Sequence, residues 1–250
     1  GGQGGVATSA TGSGGGGGGS GGAILLDAPM VRIDGVVAVL GGAGGQGAPC
    51  DDGSCGSGMA GAFPRPYLHD RLARVLEKTK PDLVFACYGM NCAIYKPFDE
   101  ERFTKYKDGI TQLRDAVKAA NAEIVLITPP VYDAKHAGSA LAEYNDVLGK
   151  YSDWLLSMRE TGWKVIDLHA PMTAELQKRR EEKADFTFEP DGVHPDDAGH
   201  WFMARQIILY LGDAATAQLA SANELPHAKE LLPLAQERMS VGRDAWLTYT

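Results

Sequence analysis

Asp191-Gly192-Val193-His194-Pro195 is the densest cluster of reactive chemistry in the chain. A carboxylate that orients an imidazole, and an imidazole that takes a proton from a hydroxyl, are two of the three members of a hydrolytic triad. Here the acid and the base lie three residues apart, with Gly192 to allow a tight turn and Pro195 to open a helix behind them. Each residue alone has a plainer reading, because Asp-Gly is a common turn pair and a His ahead of a helix is often a surface residue. Together they read as an orienting acid, Asp191, and a general base, His194. A second cluster, Tyr88-Gly89-Met90-Asn91-Cys92, offers the Asn91 carboxamide as a donor to a developing oxyanion. Its plainer reading is an Asn that caps its own turn.

These groups need a frame, and from Phe63 onward the apolar pattern supplies one. Leu68, Leu72, Val75 and Leu76 recur at helical spacing, and Leu83 to Cys87 is then a short apolar run that reads as a buried strand. Phe103, Tyr106, Ile110, Leu113 and Val117 mark the next helix, and Ile124 to Ile127 a strand closed by Pro129 and Pro130. Tyr144, Leu148, Tyr151, Leu155 and Met158 give a third helix, followed by a strand from Trp163 to Asp167. A closing helix after Pro195 places Trp201, Ala204, Ile208 and Leu211 on one face. Continuous apolar strands between amphipathic helices imply a parallel sheet covered on both faces. Its carboxyl edge, where reactive groups collect in such sheets, is where Asn91 falls.

Upstream of Phe63 the composition changes. Most of the 32 glycines lie there, including the run Gly14 to Gly19, which holds neither helix nor strand by its own preferences. It reads either as a flexible linker or as positions whose side chains are not faithfully recorded. Val36 to Leu40 is the clearest strand of this part, Ala23 to Leu26 a helix fragment, and Gly4 to Thr8 the end of a first strand. Beyond Asp213 a loop leads to a helix from about Pro226 to Leu247, in which Pro233 is expected to introduce a kink. This tail reads as a packing element or the contact of a homo-oligomer.

The 250 residues carry a net charge of -8 and a pI near 5.2, which argues against a nucleic-acid partner. The densest basic run, Lys178-Arg179-Arg180, is followed at once by Glu181 and Glu182, an ordinary solvated helix face. Nothing reaches the ~18 apolar residues of a membrane span. Cys50 and Cys55 are close enough in sequence for a short-loop disulfide, whereas Cys87 belongs to a buried strand. Cysteine usage leaves the compartment open, with a secreted or periplasmic setting favoured over the cytoplasm.

Gly89-Met90-Asn91 and Asp191-Gly192-Val193-His194-Pro195 together resemble the third and fifth blocks of the SGNH (GDSL-type) hydrolases, a family of serine esterases and lipases. The likeness runs from about Phe63 to Leu211. Phe63-Pro64-Arg65-Pro66, Pro129-Pro130 and Asp167-Leu168-His169 suit its carbohydrate-esterase-like branch. It implies a flavodoxin-like three-layer α/β/α sandwich with a mostly parallel sheet of about five strands. A hydrolase domain would then occupy residues 1–212 and a C-terminal helical extension residues 213–250.

The family's nucleophile is the Ser of a Gly-Asp-Ser block after the first strand. The resemblance places it at Ser9, although Ala7-Thr8 stands where Gly-Asp belongs, and Ser13, Ser20, Ser54 and Ser57 remain candidates. The oxyanion hole it implies consists of the Ser9 amide, the Gly44 amide and the Asn91 side chain, and no metal or organic cofactor is required. The implied substrate is a small acyl ester on a carbohydrate, acetyl above all.

Three rival readings stand beside this one. The abnormal first block would suit an inactive relative serving as a binding or structural subunit. Cys92, where the family often has Asp, is a conceivable but disfavoured nucleophile for His194 to activate. A metal-dependent hydrolase would use Asp191, His194, Asp197 and His200, but a step of six positions from one histidine to the other is not the spacing that aligns ligands on one helical face. His169 either contacts substrate or belongs to a strand-end cap. His69, His136 and His227 carry no functional signal.

Overall fold

The computed structural model describes residues 37–40, 69–138 and 142–248. Four strands, β1 (Val37–Leu40), β2 (Leu83–Cys87), β3 (Glu123–Ile127) and β4 (Lys164–Ile166), form one parallel sheet in the order β1-β2-β3-β4. Helices α1 (His69–Thr79), α2 (Glu100–Ala119) and α3 (Tyr144–Ser157) connect them in turn. Because the strands advance in one direction and parallel crossovers are right-handed, these three helices share one face of the sheet. The other face is left to the helices beyond the last strand, α4 (His169–Glu182) and α5 (Asp197–Tyr210).

The strand residues sort accordingly. Val84, Ala86, Ile124, Leu126 and Val165 join the cluster with Leu72, Tyr106, Ile110, Leu113, Leu148 and Tyr151. Phe85, Val125, Ile127 and Ile166 face the opposite way, against Met172, Leu176, Phe188, Phe202 and Ile207. The three-layer α/β/α sandwich thus follows from a period of two in strands with both faces buried. Each large side chain so buried contributes about 1.5–3 kcal/mol.

Local signals set most boundaries. Asp99 caps α2 by accepting from the Arg102 amide at 2.8 Å, with Glu100 and Glu101 in the first turn and Lys118 in the last, charges that suit the helix dipole. β4 is shorter than the run Trp163 to Asp167, because Asp167 turns to the start of α4, where it accepts from the Ala170 amide at 3.3 Å. α5 begins at Asp197 rather than directly after Pro195, since Asp196 is the cap and accepts from the Gly199 amide at 2.8 Å. Helix α4 is an element the apolar pattern did not mark. Its first amides are satisfied by the buried Thr128 hydroxyl, which accepts from Leu168 and His169 at 2.8 and 2.9 Å.

α6 (Ala228–Thr248) continues on both sides of Pro233. It is reached through two 3-10 turns, and with them packs Ala217, Leu225 and Ala228 onto Trp201 and Ile208 of α5. The Trp201 indole donates to the Leu219 carbonyl at 2.9 Å. Leu234 and Val241 on α6 are exposed. Among the described residues, no helix is long and apolar enough to cross a membrane. The expected strand Gly4 to Thr8, the fragment Ala23 to Leu26 and the pair Cys50 and Cys55 lie outside the described residues.

Candidate active site

The loop after β2 is built around a close approach of backbone to proline. Gly89 has φ +144°, and a Cβ there would stand 2.8 Å from Cγ of Pro129, so glycine alone fits between the loops after β2 and β3. The turn closes with the Cys92 amide donating to the Gly89 carbonyl at 2.9 Å. Tyr144 of α3 donates its hydroxyl to the Met90 carbonyl at 2.6 Å, and Tyr106 of α2 to the Tyr88 carbonyl at 3.3 Å. Tyr95, in the left-handed region at φ +54°, donates to Asn91 Oδ1 at 2.6 Å. The carboxamide is therefore oriented, oxygen toward Tyr95, and its NH2 is the end that donates. Burial, together with Glu189, Tyr132 and Asp191, pushes the Tyr95 phenol well above its usual range, so it stays a donor.

The candidate base, His194, stands on the loop between α4 and α5. Asp191 Oδ1 accepts from the amides of Val193 at 2.9 Å and His194 at 2.7 Å, and Oδ2 meets His194 Nδ1 at 2.6 Å. Since the carboxylate can only accept, the proton of that contact is on Nδ1, and Nε2 of the neutral ring carries the basic lone pair. Burial pushes the Asp191 carboxyl up, but the His194 amide and ring and the Val193 amide outweigh it and hold the group below its ordinary value. Gly192 has φ +83°, and a Cβ there would fall 2.5 to 2.6 Å from Ala137. Its amide donates to the Glu189 carbonyl at 2.8 Å, and its carbonyl accepts from the Asp133 amide at 3.0 Å.

Asp133 anchors this loop from outside. Its side chain is 2% exposed, and Oδ2 accepts from Arg180, from the Thr187 hydroxyl at 2.6 Å and from His136 Nδ1 at 2.9 Å. Burial alone would raise this carboxyl, yet these donors hold it below its ordinary value. Thr187 Oγ1 also accepts the Glu189 amide at 2.9 Å, and Lys135 pairs with Asp185 at 2.6 Å. His136, which carried no signal in the sequence, is therefore part of the tether of the loop that carries Asp191 and His194. Val193 belongs to the same buried cluster as Met90 and Cys92, and Tyr95 packs against it, so the loop that orients Asn91 faces the one that carries His194.

The remaining sequence candidates fall elsewhere. His169 is buried and its Nδ1 stands 3.4 Å from the Pro130 carbonyl, with burial lowering its pKa. It lines a groove of about 460 Å3 between α3 and α4 with Asn145, Lys150, Thr173 and Gln177, away from His194. Cys92 is 2% exposed, which suits packing rather than nucleophilic attack, and burial with Cys92 nearby pushes the Cys87 thiol up to about 12. Asp191, His194, Asp197 and His200 do not assemble as metal ligands, and no group of three or more His, Cys, Asp or Glu among the described residues does. Ser9, Gly44, Ser13, Ser20, Ser54 and Ser57 lie outside the described residues.

The sequence model described as the GDSL-like Lipase/Acylhydrolase family matches residues 12–202, most of the chain. Among solved structures, a gut microbial diltiazem-metabolizing enzyme superposes with a TM-score of 0.52 at 23% identity, over 58% of this chain and 36% of that one. This likeness is one of fold, and the chain spans little more than a third of that enzyme's length. An acetylxylan esterase, Axe2 from Geobacillus stearothermophilus, gives a TM-score of 0.42 at 25% identity, over 58% of this chain and 66% of that one. The acetyl xylan esterase AlAXEase gives 0.48 at 20% identity, over 57% and 73%. No curated protein matches the chain.

Proposed function

Because the chain belongs to the GDSL-like lipase/acylhydrolase family, we propose that it is a serine esterase that cleaves small acyl esters, acetyl above all, on carbohydrates. The observation that carries this reading is the Asp191–His194 contact at 2.6 Å facing a loop whose Asn91 is oriented as a donor, both within the matched span. His194 Nε2 takes the proton of the serine hydroxyl as its oxygen attacks the ester carbonyl. The negative charge that develops on the carbonyl oxygen is received by Asn91 and by the amides of the nucleophile and Gly44. Collapse expels the alcohol, which leaves with the proton from His194, and water then cleaves the acyl-enzyme by the same route. Asp191 holds the imidazole in the required tautomer throughout. The preference for sugar acetates rests on the branch that the Phe63-Pro64-Arg65-Pro66 and Pro129-Pro130 motifs resemble.

Ser9 is the proposed nucleophile on the order of residues in the chain. A second reading has specific support. β1 pairs directly with β2, which in the flavodoxin-like order 2-1-3-4-5 is the place of the first strand, and the family match opens at residue 12, beyond Ser9. The strand pairing favours a serine that follows Leu40, Ser54 or Ser57, and the start of the match speaks against Ser9. Labelling of the full chain with a fluorophosphonate, then digestion and mass spectrometry, separates the two. Label on the peptide holding Ser9 supports the first, and label on Ser54 or Ser57 the second. Folded protein that takes no label refutes the serine esterase and leaves a non-catalytic binding or structural subunit. Release of acetate from acetylated xylooligosaccharides, set against p-nitrophenyl acetate and butyrate, tests the substrate class.

A further inference from the structure

Glu189 lies two residues ahead of Asp191, is fully buried, and has no hydrogen-bond partner for either carboxyl oxygen. Its backbone is held at both ends: the amide donates to Thr187 Oγ1 at 2.9 Å, and the carbonyl accepts from Gly192 at 2.8 Å. The side chain is thus fixed by the same turn that presents Asp191 to His194. The charged groups acting on it are carboxyls: Asp133 from the loop after β3, Asp191 on its own loop, and Asp196 at the cap of α5. Tyr95, from the loop after β2, lies in its field. The donors of the neighbourhood are engaged elsewhere, the Arg180 guanidinium of α4 and the His136 ring with Asp133, and the His194 ring with Asp191. A backbone donor near it, the Asp133 amide, is already bonded to the Gly192 carbonyl at 3.0 Å and only partly opposes the effect of burial, so an ionised carboxylate with three like charges around it takes up a proton instead. Burial and those neighbours drive the Glu189 carboxyl well above the usual carboxylate range.

We propose that Glu189 is a positioning residue of this site, a carboxyl carried neutral beneath the Asp191–His194 turn, which packs that turn against the Asn91 loop and displaces Asp191 from His194 once it ionises. The proposal rests on reading Asp191 and His194 as the acid and base of the esterase. Neutral, Glu189 fills the space and leaves Asp191 as the single charge on the imidazole. Ionised, it repels Asp133, Asp191 and Asp196, and it reaches water only by opening the turn. Below its raised pKa the group is protonated, so the catalytic geometry is intact there and is lost as pH rises through that value.

The test compares the full wild-type chain with Glu189→Gln, a neutral side chain of nearly the same shape, in two measurements across pH. One is kcat/KM for triacetin in a pH-stat. The other is the low-field proton resonance of His194 Nδ1–H, read without substrate. The wild type is expected to lose both on the alkaline side. Glu189→Gln is expected to keep at least half of the wild-type optimum and to show that loss moved up by more than one pH unit or abolished. An unchanged alkaline limb in Glu189→Gln, or no alkaline loss in the wild type, overturns the proposal. Should Glu189→Gln not fold, Glu189→Leu takes its place, and failure of both neutral variants to fold also overturns it. If triacetin is not cleaved at all but the resonance follows Glu189, the esterase reading falls and the positioning role stands.

Discussion

Replacing Gly192 by alanine isolates the contribution of one turn to catalysis. The new Cβ would lie 2.5 Å from the Ala137 Cβ and 2.6 Å from its Cα and N, where ordinary contact is 3.4–4 Å. The obstacle is backbone, and the Ala137 amide is itself bonded to the Asp133 carbonyl at 3.1 Å, so no rotamer relieves it. The turn must therefore move by about 1 Å, a displacement that costs on the order of 100-fold in rate when it misplaces a catalytic group. The left-handed backbone at φ +83° adds about 1–2 kcal/mol for a residue with a Cβ, and the overpacking about 1–3 kcal/mol. The expected outcome is a kcat about 100-fold down with KM little changed, and about 2–5 kcal/mol less stability in urea. Gly162→Ala is the control, since Gly162 has a matching φ of +81° with nothing within 4 Å of its would-be Cβ. It should lose about 1–2 kcal/mol and keep full kcat. A Gly192→Ala enzyme that is destabilised yet turns over within threefold of wild type would refute the claim that this turn sets the acid–base geometry.

Asp191→Asn should leave the fold intact and lower kcat by about 10^4, because the amide favours the wrong tautomer of His194; circular dichroism and steady-state kinetics check both halves. Asn91→Ala removes one donor to the oxyanion and should lower kcat by about 10^2–10^3, with KM for an acetyl ester nearly unchanged. Glu189→Gln should change how stability depends on pH. The wild-type carboxyl is raised in the folded state, so its contribution falls as pH climbs from the unfolded value of 4.5 toward the raised one. Within that window, the stability of the variant relative to wild type should grow by about 1.4 kcal/mol per pH unit, and parallel urea titrations at pH 5, 6 and 7 read the slope. A flat difference would mean that Glu189 is not protonated in the native protein.

The elements that the sequence displayed are those whose residues answer to a local rule. β2 and β3 are continuous apolar runs because both their faces are covered, and α2 shows its stripe as Tyr106, Ile110, Leu113 and Val117. α4 escaped because Pro171, which stands in its first turn, reads in the sequence as a break, and the residues it buries, His169, Met172 and Leu176, are too few to make a stripe. The Asp191–His194 pair was legible since both partners lie on one turn and the carboxylate also caps the amides between them. The Asp133 tether was not, because its partners Arg180 and Thr187 lie 47 and 54 residues away and no periodicity links a charge to so distant a donor. His136 likewise has meaning only through Asp133. The two amide donors and the serine expected near Ser9 and Gly44 fall outside the described residues.

That distance has a consequence for the order in which the molecule assembles. Helices α2 and α3 draw on neighbours in the chain, whereas the loop bearing His194 is fastened by residues brought together only when α4 has crossed to the far side of the sheet. Contacts of such separation form late, since the chain must first be ordered over the intervening stretch. On dilution from urea, far-ultraviolet ellipticity should therefore recover ahead of esterase activity, and weakening the Asp133–Arg180 link should widen that lag while leaving the early phase alone. Competence for chemistry would then be the last property the chain acquires as it folds and the first it gives up as it opens.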